Sequence, residues 1–368
     1  MVQDRKDSRF RVLDSQPRGA AEHMALDEVI MQAHNENLVP NTLRFLQFKP
    51  CALVGLHQNT HLEVNVPYCQ ANGIEINRRI TGGGGLYWGP LELGYELYAA
   101  KSTPGIPADV AGLYRLLGEG TALGLRQLGL RAAYRPVNDI EIGGRKVAGT
   151  GGTELGGTFV FQCSLLVDFD VEEMLRVLRL PVEKLGDKAA KTFRERVTTM
   201  SAELGRVPDH ADIKAAIIDG LRQSFGYEFY RGELTAAELA LFERALPRFR
   251  SEEWIFGRNG GHMATVDAFA SYKAPGGLIR VHARLDDKIN RIRQLIITGD
   301  FFAYPRRAVN DLENALKNAA ADDASVAAVV NAFFREHRPD IPGVAAEHVI
   351  AAVAAAVGKA RQGGVTDG

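Results

Sequence analysis

Four consecutive glycines follow two arginines in one stretch of the sequence, a combination that predicts a binding site for an anion. Residues 78–87 read Arg-Arg-Ile-Thr-Gly-Gly-Gly-Gly-Leu-Tyr. Glycine has no Cβ, so a ligand can approach the backbone, and successive N–H groups can form an anion-binding concavity. Arginine adds a fixed, delocalised positive charge. The alternative is a hairpin turn with no ligand, but four glycines are more than such a turn needs.

A second glycine-rich stretch contains a lysine that is followed by small residues. Residues 143–152 read Gly-Gly-Arg-Lys-Val-Ala-Gly-Thr-Gly-Gly. Gly143 and Gly144 suit a two-residue hairpin turn, and Lys146 lies just after them at the start of a strand. A lysine beside a hairpin is usually a solvated charge, but an exposed strand would not need the small residues that follow. The spacing therefore predicts that Lys146 faces a ligand.

These two stretches suit a negatively charged, flexible ligand, and acyl adenylation is a reaction they could catalyse. A carboxylate attacks the α-phosphate of ATP, and pyrophosphate leaves. Both reactants are anionic, so the catalyst must offset their repulsion and the charge that develops at phosphorus. A lysine ammonium between carboxylate and phosphate would do so, and it could then polarise the acyl carbonyl for attack by an amine. No protein nucleophile is required.

The elements that position both stretches are predicted to be strands. Residues 73–77 and 91–100 flank the glycine loop, which argues against a Rossmann or P-loop site, where the loop joins a strand to a helix. Residues 135–142 form a turn and a strand before the Lys146 hairpin. Residues 157–168 alternate apolar and other residues, as a strand that can pair with the Lys146 strand does.

The overall composition is that of a soluble globular protein of about two domains. The chain has 368 residues, of which 46% are hydrophobic and 24% charged, and its net charge is -1. Near-neutral charge argues against nucleic-acid binding by bulk electrostatics. A charged start and the lack of a long apolar run argue against a secretory signal and a membrane span. Three cysteines without CxxC spacing fit a reducing cytoplasm, and the histidines show no metal-ligand pairing.

A change of pattern near residue 250 predicts a domain boundary. Residues 254–261 are expected to form a linker or loop. Strands then follow near residues 266–272, 277–283 and 290–298, and helices near residues 307–318, 324–336 and 345–361. Three strands followed by helices indicate a small α+β module with its own core. We therefore expect a catalytic domain over residues 1–250 and an accessory domain over residues 251–368.

Motifs along the chain, taken together and in order, resemble those of lipoate–protein ligase A, a member of the wider biotin/lipoate ligase family. The motifs that carry this resemblance are Met24–Glu28, Arg79–Tyr87, Asn138–Ile140, Gly144–Thr150, Arg196–Met200 and, in the accessory region, Gly299–Phe302. The resemblance implies an α+β fold, with a biotin/lipoate ligase-like catalytic domain of mixed sheets flanked by helices and a small α+β accessory domain.

The resemblance also implies an activity, namely an ATP-dependent ligase that activates lipoate or octanoate as an acyl-adenylate. Lys146 would contact the acyl carboxylate and the phosphate, and Asp139 would lie near the phosphates and help to hold Mg²⁺. The implied ATP and acyl site comprises Arg79, Thr81, Gly82, Gly83, Gly84, Gly85, Leu86, Tyr87, Asn138, Asp139, Lys146, Gly149 and Thr150.

The acyl group would pass to a specific lysine of a lipoyl carrier protein. The resemblance allows three kinds of carrier: the acyltransferase subunit of a dehydrogenase complex, the glycine-cleavage H protein, or a specialised lipoate-binding protein. The accessory domain is expected to move between adenylation and transfer. No nucleic acid or membrane partner is expected.

Two departures from the family pattern affect the region of the pocket. Trp88, followed by Gly89 and Pro90, stands where the family usually has a histidine followed by an aspartate. Gln162-Cys163-Ser164 stands where the family has His-Gly-Thr/Ser. An indole occupies more volume than an imidazole, so Trp88 is expected to narrow or reshape the acyl tunnel.

Two alternative functions stay open. An octanoyl- or lipoyl-transferase of the same fold works without ATP and commonly needs a cysteine nucleophile. Cysteine-dependent relatives carry theirs upstream of the lysine motif, where residues 134–142 contain none, and Cys163 is expected to be an inert strand cysteine. The other alternative is a non-catalytic paralogue that binds a carrier, although the retained Arg79 and Lys146 argue against it.

Overall fold

The computed structural model describes residues 9–107, 109–136, 138–179, 195–257, 268–286 and 289–362. The chain divides into two compact units. Unit 1 comprises Met1–Leu53, Asn65–Asn77 and Leu86–Arg250. Unit 2 comprises Val54–Val64, Arg78–Gly85 and Ser251–Gly368. Two short segments from the first part of the chain therefore belong to the same unit as the C-terminal region.

The described strands and helices are numbered here in chain order. The strands are β1 Arg9–Arg18, β2 Thr42–Phe48, β3 Cys51–Val54, β4 Glu75–Arg78, β5 Leu86–Trp88, β6 Leu93–Ala100, β7 Ala132–Arg135, β8 Asp139–Ile142, β9 Arg145–Leu155, β10 Thr158–Leu165, β11 Glu228–Arg231, β12 Ala268–Ala274, β13 Gly277–Asp286 and β14 Arg291–Gly299. The helices are α1 Ala20–Asn35, α2 Thr60–Glu63, α3 Val66–Ala71, α4 Val110–Gln127, α5 Val171–Val177, α6 Met200–Leu204, α7 His210–Phe225, α8 Ala236–Phe249, α9 Glu252–Phe256, α10 Ala308–Leu316, α11 Asp323–His337 and α12 Ala346–Arg361.

A mixed eight-stranded sheet forms the centre of unit 1. Its strand order is β11-β1-β2-β6-β10-β9-β8-β7. Strand β1 runs parallel to both of its neighbours, and the pairs from β2 through β7 are antiparallel. Along β2, β6, β8 and β10, alternate residues face an apolar core that also includes residues of α4 and α7. The mixed sheet with flanking helices confirms the predicted fold class.

The other face of this sheet is joined to helix α1 through buried charges. The Arg44 guanidinium lies 2.7 Å from Oδ1 of Asp27 on α1 and 2.8 Å from Oε2 of Glu96 on β6. Nε2 of Gln162 donates to Oε1 of Glu96 over 2.7 Å. Burial raises the pKa of Asp27 well above its usual value. Because an unpaired buried charge is costly, this network fixes α1 on the sheet, and Gln162 is one of its donors.

Unit 2 contains the antiparallel sheet β12-β13-β14. One face of it shares an apolar core with α10, α11 and α12, so the three predicted strands and the three predicted helices are confirmed. The predicted linker is partly wrong, because residues 254–256 belong to helix α9. Ser251 caps this helix by accepting a hydrogen bond from the N–H of Trp254. Gly257 is the C-cap of this helix, and residues 258–261 of that predicted linker lie outside the described residues.

Among the helices of the described ranges, none is long and apolar enough to span a bilayer.

Candidate functional site

The hairpin between β8 and β9 places Lys146 on a strand, as predicted. Gly143 and Gly144 have φ angles of 57° and 77°, so both occupy the left-handed region that a two-residue hairpin turn requires. Lys146 pairs across the hairpin with Glu141. A shift of register follows, because Ile140 pairs with Ala148 rather than with Val147. Strand β9 therefore carries one extra residue directly after Lys146.

This bulge determines where the Lys146 side chain lies. Val147 and Ala148 both contribute to the apolar core, so Lys146 and Gly149 share the opposite face although they are three positions apart. A Cβ at position 149 would lie 2.8 Å from Nζ of Lys146 and 2.9 Å from its Cε. Glycine at 149 thus leaves the space in which the lysine side chain lies along its own strand.

Lys146 forms an ion pair with Asp139, the first residue of β8. Nζ lies 2.7 Å from Oδ1, and the side chains are 37% and 28% exposed. The two side chains are therefore partly exposed although Oδ1 itself is buried, and an anionic ligand that reaches Lys146 can compete with Asp139 for the ammonium. Contact between this ammonium and a phosphate or a carboxylate stays a prediction.

Asn138 and Thr150, two further predicted ligand residues, bind each other. Nδ2 of Asn138 donates to the Thr150 carbonyl over 3.0 Å. The N–H and Oγ1 of Thr150 both donate to the Asn138 carbonyl, each over 2.9 Å. Asp139, which follows Asn138, and Gly149, which precedes Thr150, are partners in the strand register. Asn138 and Thr150 therefore position the ion pair, and direct contact between them and a ligand stays a prediction.

The motif at residues 196–200 lies beside the Lys146 strand. The N–H of Thr198 donates to the Lys146 carbonyl over 2.8 Å. Glu203 on α6 links both segments, because its Oε1 lies 2.6 Å from Nη2 of Arg145 and accepts a 2.6 Å hydrogen bond from Oγ1 of Thr198. Sequence analysis missed Glu203. No local pattern marks it, because its role depends on two partners distant in the chain.

A row of small residues crosses the sheet on the Lys146 face. Gly94 on β6 pairs with Ser164 on β10, which pairs with Gly149 on β9. The row thus begins beside Lys146 and ends at Gly94. There the indole of Trp88 closes it, since a Cβ at position 94 would lie 2.9 Å from Cη2 of Trp88.

Trp88 belongs to β5, a short strand that the sequence analysis did not separate from the glycine loop. Strand β5 pairs with β3 in the three-stranded sheet β4-β3-β5. Tyr87 is buried beside Phe169, with ring centroids 6.2 Å apart, and Leu86 is half-buried. The predicted strand over residues 91–100 is confirmed as β6. The glycine loop therefore leads into β5 first, and Leu86 and Tyr87 belong to unit 1.

The three cysteines of the chain are all buried. Cys163 on β10 contributes to the apolar core, on the face of the sheet opposite Ser164 and Gly149. Burial raises the pKa of the Cys163 thiol to about 12 and that of Cys69 to about 11. Burial also raises the pKa of Cys51 well above its usual value. These environments keep the thiols protonated at neutral pH and therefore weakly nucleophilic.

The glycine loop belongs to unit 2, where Arg79 is surrounded by loop carbonyls. Nη2 of Arg79 donates to the carbonyls of Gly82 and Gly84 over 3.1 and 2.8 Å. Thr81 is buried, Gly84 is exposed and Gly85 is half-exposed. Gly84 and Gly85 therefore form the accessible part of the predicted site in this loop.

The first two glycines of the loop pack against a later segment of the same unit. The N–H of Gly83 donates to the Phe301 carbonyl over 3.2 Å. A Cβ at position 82 would lie 2.6 Å from that carbonyl oxygen, and one at position 83 would lie 2.9 Å from Cζ of Phe302. Gly83 also has a φ of 92°. Intrachain packing therefore accounts for these two glycines, and the Gly83 N–H is used within the chain.

Arg78, the other arginine of the motif, holds the surroundings of the loop together. Its guanidinium donates to the carbonyls of Gln58, Trp254 and Ile255 over 2.6 to 3.0 Å. Arg78 is 2% exposed. It therefore connects the segment 54–64 with helix α9 inside unit 2, a structural role that the sequence did not reveal.

Metal ligands were sought among the acidic, histidine and cysteine side chains. Within the ranges that the structure describes, no three of these groups cluster closely enough to hold a metal ion. A metal ion at Asp139 would therefore need most of its ligands from a bound substrate.

A comparison with protein families identifies the lineage of this chain. The model of the lipoyl protein ligase A/B catalytic domain matches residues 19–222. The chain belongs to this family. The matched residues include both glycine-rich stretches and the Asp139–Lys146 pair, so the site described above lies in the family's catalytic region.

Relatives within the lipoyl protein ligase A/B family carry two kinds of name. An octanoyltransferase LipM of Kyrpidia tusciae is 30% identical over 270 residues, which cover 67% of this chain and 98% of that protein. A lipoate-protein ligase A subunit 1 of Thermoplasma acidophilum is 28% identical over 262 residues, covering 68% and 97% of the two chains. The family therefore includes transferases and ligases at similar distances from this chain.

Solved structures of family members share the fold. The bipartite lipoate protein ligase of Thermoplasma acidophilum, studied with its E2 lipoyl domain, has a TM-score of 0.61 at 27% identity, covering 68% of this chain and 96% of that one. A lipoate-protein ligase A bound with ATP has a TM-score of 0.59 at 25% identity, covering 68% and 99%. LipL1 of P. falciparum, at 12% identity, has a TM-score of 0.71 over 94% of this chain and 98% of that one, a likeness of fold alone.

Proposed function

We propose that the protein is an ATP-dependent ligase that activates lipoate or octanoate as an acyl-adenylate and transfers the acyl group to a lysine of a lipoyl carrier protein. In the first step a carboxylate oxygen of the acid attacks the α-phosphorus of ATP, and pyrophosphate leaves. In the second step the lysine nitrogen attacks the acyl carbonyl, and AMP leaves. Neither step needs a nucleophile from the protein.

The observation that carries this proposal is the burial of all three cysteines. The thiol-dependent alternative needs a thiolate that a substrate can reach. Cys163 is the only cysteine on a strand next to that of Lys146, yet it lies in the apolar core and burial raises its pKa to about 12. By contrast, the Lys146 side chain is 37% exposed. The accessible chemistry is therefore cationic rather than thiol-based.

Lys146 is the residue proposed to serve both steps. Its ammonium can leave Asp139 for the incoming carboxylate and α-phosphate, where it offsets the charge that develops during adenylation. The same ammonium can then polarise the acyl carbonyl during transfer. Asn138 and Thr150 contribute indirectly, because they position the strand pair from which Asp139 and Lys146 extend.

The predicted ATP contacts of the glycine loop remain part of the proposal. Arg79 supplies a positive charge, and the exposed Gly84 offers backbone that a phosphate can approach. Mg²⁺ is usually held by one or two carboxylates together with substrate phosphates, so a single carboxylate such as Asp139 suits it. The ion would enter with ATP and neutralise phosphate charge. The structurally similar ligase bound with ATP supports this assignment of the nucleotide.

A lipoyl carrier domain is the proposed acyl acceptor. The Thermoplasma acidophilum ligase was studied with its E2 lipoyl domain, which supports a partner of that class. We propose this class as a whole, with carriers of the dehydrogenase complexes, the glycine-cleavage H protein and specialised lipoate-binding proteins as its candidate members.

An ATP-independent octanoyltransferase is the second candidate, because relatives at 26% to 31% identity carry that name. Its test is Cys163→Ser, with Cys69→Ser as a matched control at another buried thiol. The proposed ligase predicts that both variants keep full ATP-dependent acylation of an apo-lipoyl domain. Loss of acyl transfer from an octanoyl-carrier donor in Cys163→Ser alone would instead identify a thiol-dependent transferase.

A further inference from the structure

Ser164 on β10 carries a hydroxyl group to which the function proposed above gives no role. It lies in the middle of the row of small residues, paired with Gly149 on β9 and with Gly94 on β6. Ser164 is half-buried, and neither of its partners in the row has a side chain. The Ser164 hydroxyl is therefore the one polar side-chain group that this three-residue row offers to a ligand.

The hydrogen bond that Ser164 makes within the chain is a weak one. Its Oγ donates to the Gly149 carbonyl over 3.3 Å. Hydrogen bonds donated by hydroxyl groups to oxygen are usually roughly 2.5–3.0 Å long. Ser224 on α7 illustrates the usual case, since its Oγ donates to the Leu116 carbonyl over 2.9 Å. The Ser164 hydroxyl can therefore turn from the Gly149 carbonyl to a ligand at small cost.

The Ser164 hydroxyl is also close to the Lys146 ammonium. A Cβ at position 149 would lie 3.7 Å from Oγ of Ser164 and 2.8 Å from Nζ of Lys146. Both donors thus lie within 4 Å of one point, on the face of the sheet that carries Lys146. Because residue 149 is glycine, its own side chain does not separate the two donors.

A charged donor and a neutral donor at this separation suit a carboxylate. A carboxylate has two oxygens, and each oxygen can accept a hydrogen bond from a different donor. Hydrogen bonds of about 2.8 Å would connect one oxygen to Nζ of Lys146 and the other to Oγ of Ser164. The ammonium would supply the attraction, and the hydroxyl would fix the orientation of the carboxylate.

The rest of the row suits the hydrocarbon chain of an acid. Beyond Ser164 the row continues over Gly94, and it ends at the indole of Trp88, which packs on Phe48 with ring centroids 4.8 Å apart. An acid whose carboxylate lies between Lys146 and Ser164 can therefore place its chain over Gly94, where it contacts apolar atoms.

We propose that the Ser164 hydroxyl and the Lys146 ammonium together hold the carboxylate of lipoate or octanoate, each at one oxygen. The inference rests on the proposed ligase function and concerns the binding of the acid before adenylation. The Ser164 hydroxyl keeps its proton, and no covalent bond to it forms. With one oxygen held by Ser164, the other stays beside Lys146, the residue proposed to meet the α-phosphate.

The test compares the binding of octanoate and lipoate to the full-length wild type and to Ser164→Ala, by calorimetry without ATP. The dissociation constant of the acid should rise at least about tenfold in Ser164→Ala, the usual effect of losing one hydrogen bond to a charged group. The KM for the acid in pyrophosphate release should rise by a similar factor, while the KM for ATP stays unchanged. Ser164→Thr, which keeps a hydroxyl, should restore the binding of the acid.

Ser224→Ala is the matched control for Ser164→Ala. Ser224 is also half-buried, and its hydroxyl also donates to a backbone carbonyl. This variant should bind both acids as the wild type does. The Ser164 and Ser224 variants should melt within a few degrees of the wild type. Loss of folding in Ser164→Ala would show that the hydroxyl holds the sheet together, and it would overturn the proposal.

Four binding results would also overturn the proposal. They are unchanged affinity for both acids in Ser164→Ala, an equal loss of affinity in Ser224→Ala, an equal loss in Ser164→Thr, and no binding of either acid by the wild type. Weaker binding of ATP with unchanged binding of the acids would place a phosphate at the hydroxyl instead, which contradicts the proposal. A wild type that binds an acid but releases no pyrophosphate would refute the ligase function alone, because acid binding is measured without ATP.

Discussion

At the scale of single residues, Lys146 combines a fixed position with access to solvent. Its side chain lies over Gly149 and pairs with Asp139 at 2.7 Å, yet it is 37% exposed. A surface ion pair of this kind contributes little to stability, so an anionic ligand can displace Asp139 at small cost. We therefore propose that the ion pair prepares the ammonium for a ligand rather than holding the fold together.

Lys146→Ala should reduce acid-dependent pyrophosphate release by at least about 10² to 10³-fold, the usual effect of removing one preorganised charge from a developing anion. Thermal melting should change little, because the pair is exposed. Lys101→Ala is a matched control, since Lys101 forms an exposed ion pair with Glu154 at the far end of the same strand. Equal pyrophosphate release in Lys146→Ala and Lys101→Ala would show that the role assigned to Lys146 is wrong.

Trp88 should limit the acyl chains that the enzyme accepts. Its indole fills the space above Gly94 at the end of the small-residue row, and it packs on Phe48 with ring centroids 4.8 Å apart. Trp88→Ala should raise kcat/KM for longer or bulkier acids relative to octanoate by about tenfold, the scale set by single methylene groups in apolar pockets. Competition assays with paired acids measure this ratio.

Trp88→Phe is the control for this prediction, since it keeps an aromatic ring over Gly94. It should retain the wild-type preference among acids. Identical selectivity in Trp88→Ala and the wild type would show that the acyl chain does not occupy the row that ends at Trp88.

Sequence patterns could locate Lys146 but not the residues that complete its surroundings. The Gly143-Gly144 turn and the small residues after the lysine are local signals, and both are visible in a ten-residue window. Glu203 has no such signal. It acts through two partners, Arg145 and Thr198, that only tertiary folding brings to it.

At the scale of elements, the bulge in β9 is the feature that positions Lys146, the proposed catalytic residue. Gly149→Ala places a methyl group 2.8 Å from Nζ of Lys146. The lysine side chain is flexible and can move away from this methyl group. The fold should therefore survive, while pyrophosphate release falls at least tenfold because the ammonium is displaced from Asp139.

Gly157→Ala, at the turn before β10, provides the matched control for Gly149→Ala. A Cβ at position 157 would meet nothing within 4 Å. Both variants should melt within a few degrees of the wild type. Full activity in Gly149→Ala would contradict the claim that this glycine makes room for the lysine.

Element types were easier to predict than the details that matter at the site. The Lys146 hairpin, strand β6 and the sheet and helices of unit 2 follow hydrophobic alternation and turn dipeptides, so the sequence predicts them. Strand β5 has only three residues and directly follows glycines, so it is too short to show an alternating pattern. The bulge after Lys146 is not marked by any particular type of residue. Helix α9 was mistaken for a linker, because the glycines after it mask the serine cap and acidic first turn.

At the scale of the whole molecule, the C-terminal region shares unit 2 with two early segments. The segment 54–64 is tied to it by the ion pair of Glu63 with Arg280 and by a hydrogen bond from the Gly299 N–H to the His57 carbonyl. The glycine loop is tied to it through Gly83 and the Phe301 carbonyl. The domain boundary near residue 250 stays a prediction. These contacts indicate what the removal of residues 251–368 would change.

A chain that ends at residue 250 should fold, because all eight strands of the large sheet lie before residue 232. It should lose most pyrophosphate release, since the glycine loop loses its packing partners. Hydrogen exchange should show reduced protection for residues 78–85 but not for β6 or β10. Supplying residues 251–368 as a separate chain should restore part of the hydrogen-exchange protection of residues 78–85. Pyrophosphate release at the full-length rate by the shortened chain would contradict this prediction.

The central claim is that this chain forms an acyl-adenylate from ATP. The most direct measurement is pyrophosphate release by the full-length protein with ATP and Mg²⁺, with octanoate and lipoate in parallel, followed by mass spectrometry of an added apo-lipoyl domain. The account predicts acid-dependent release and then a mass gain of one acyl group on the carrier. No release with either acid, together with acyl transfer from an octanoyl-carrier donor, would contradict it and assign the chain to the transferases.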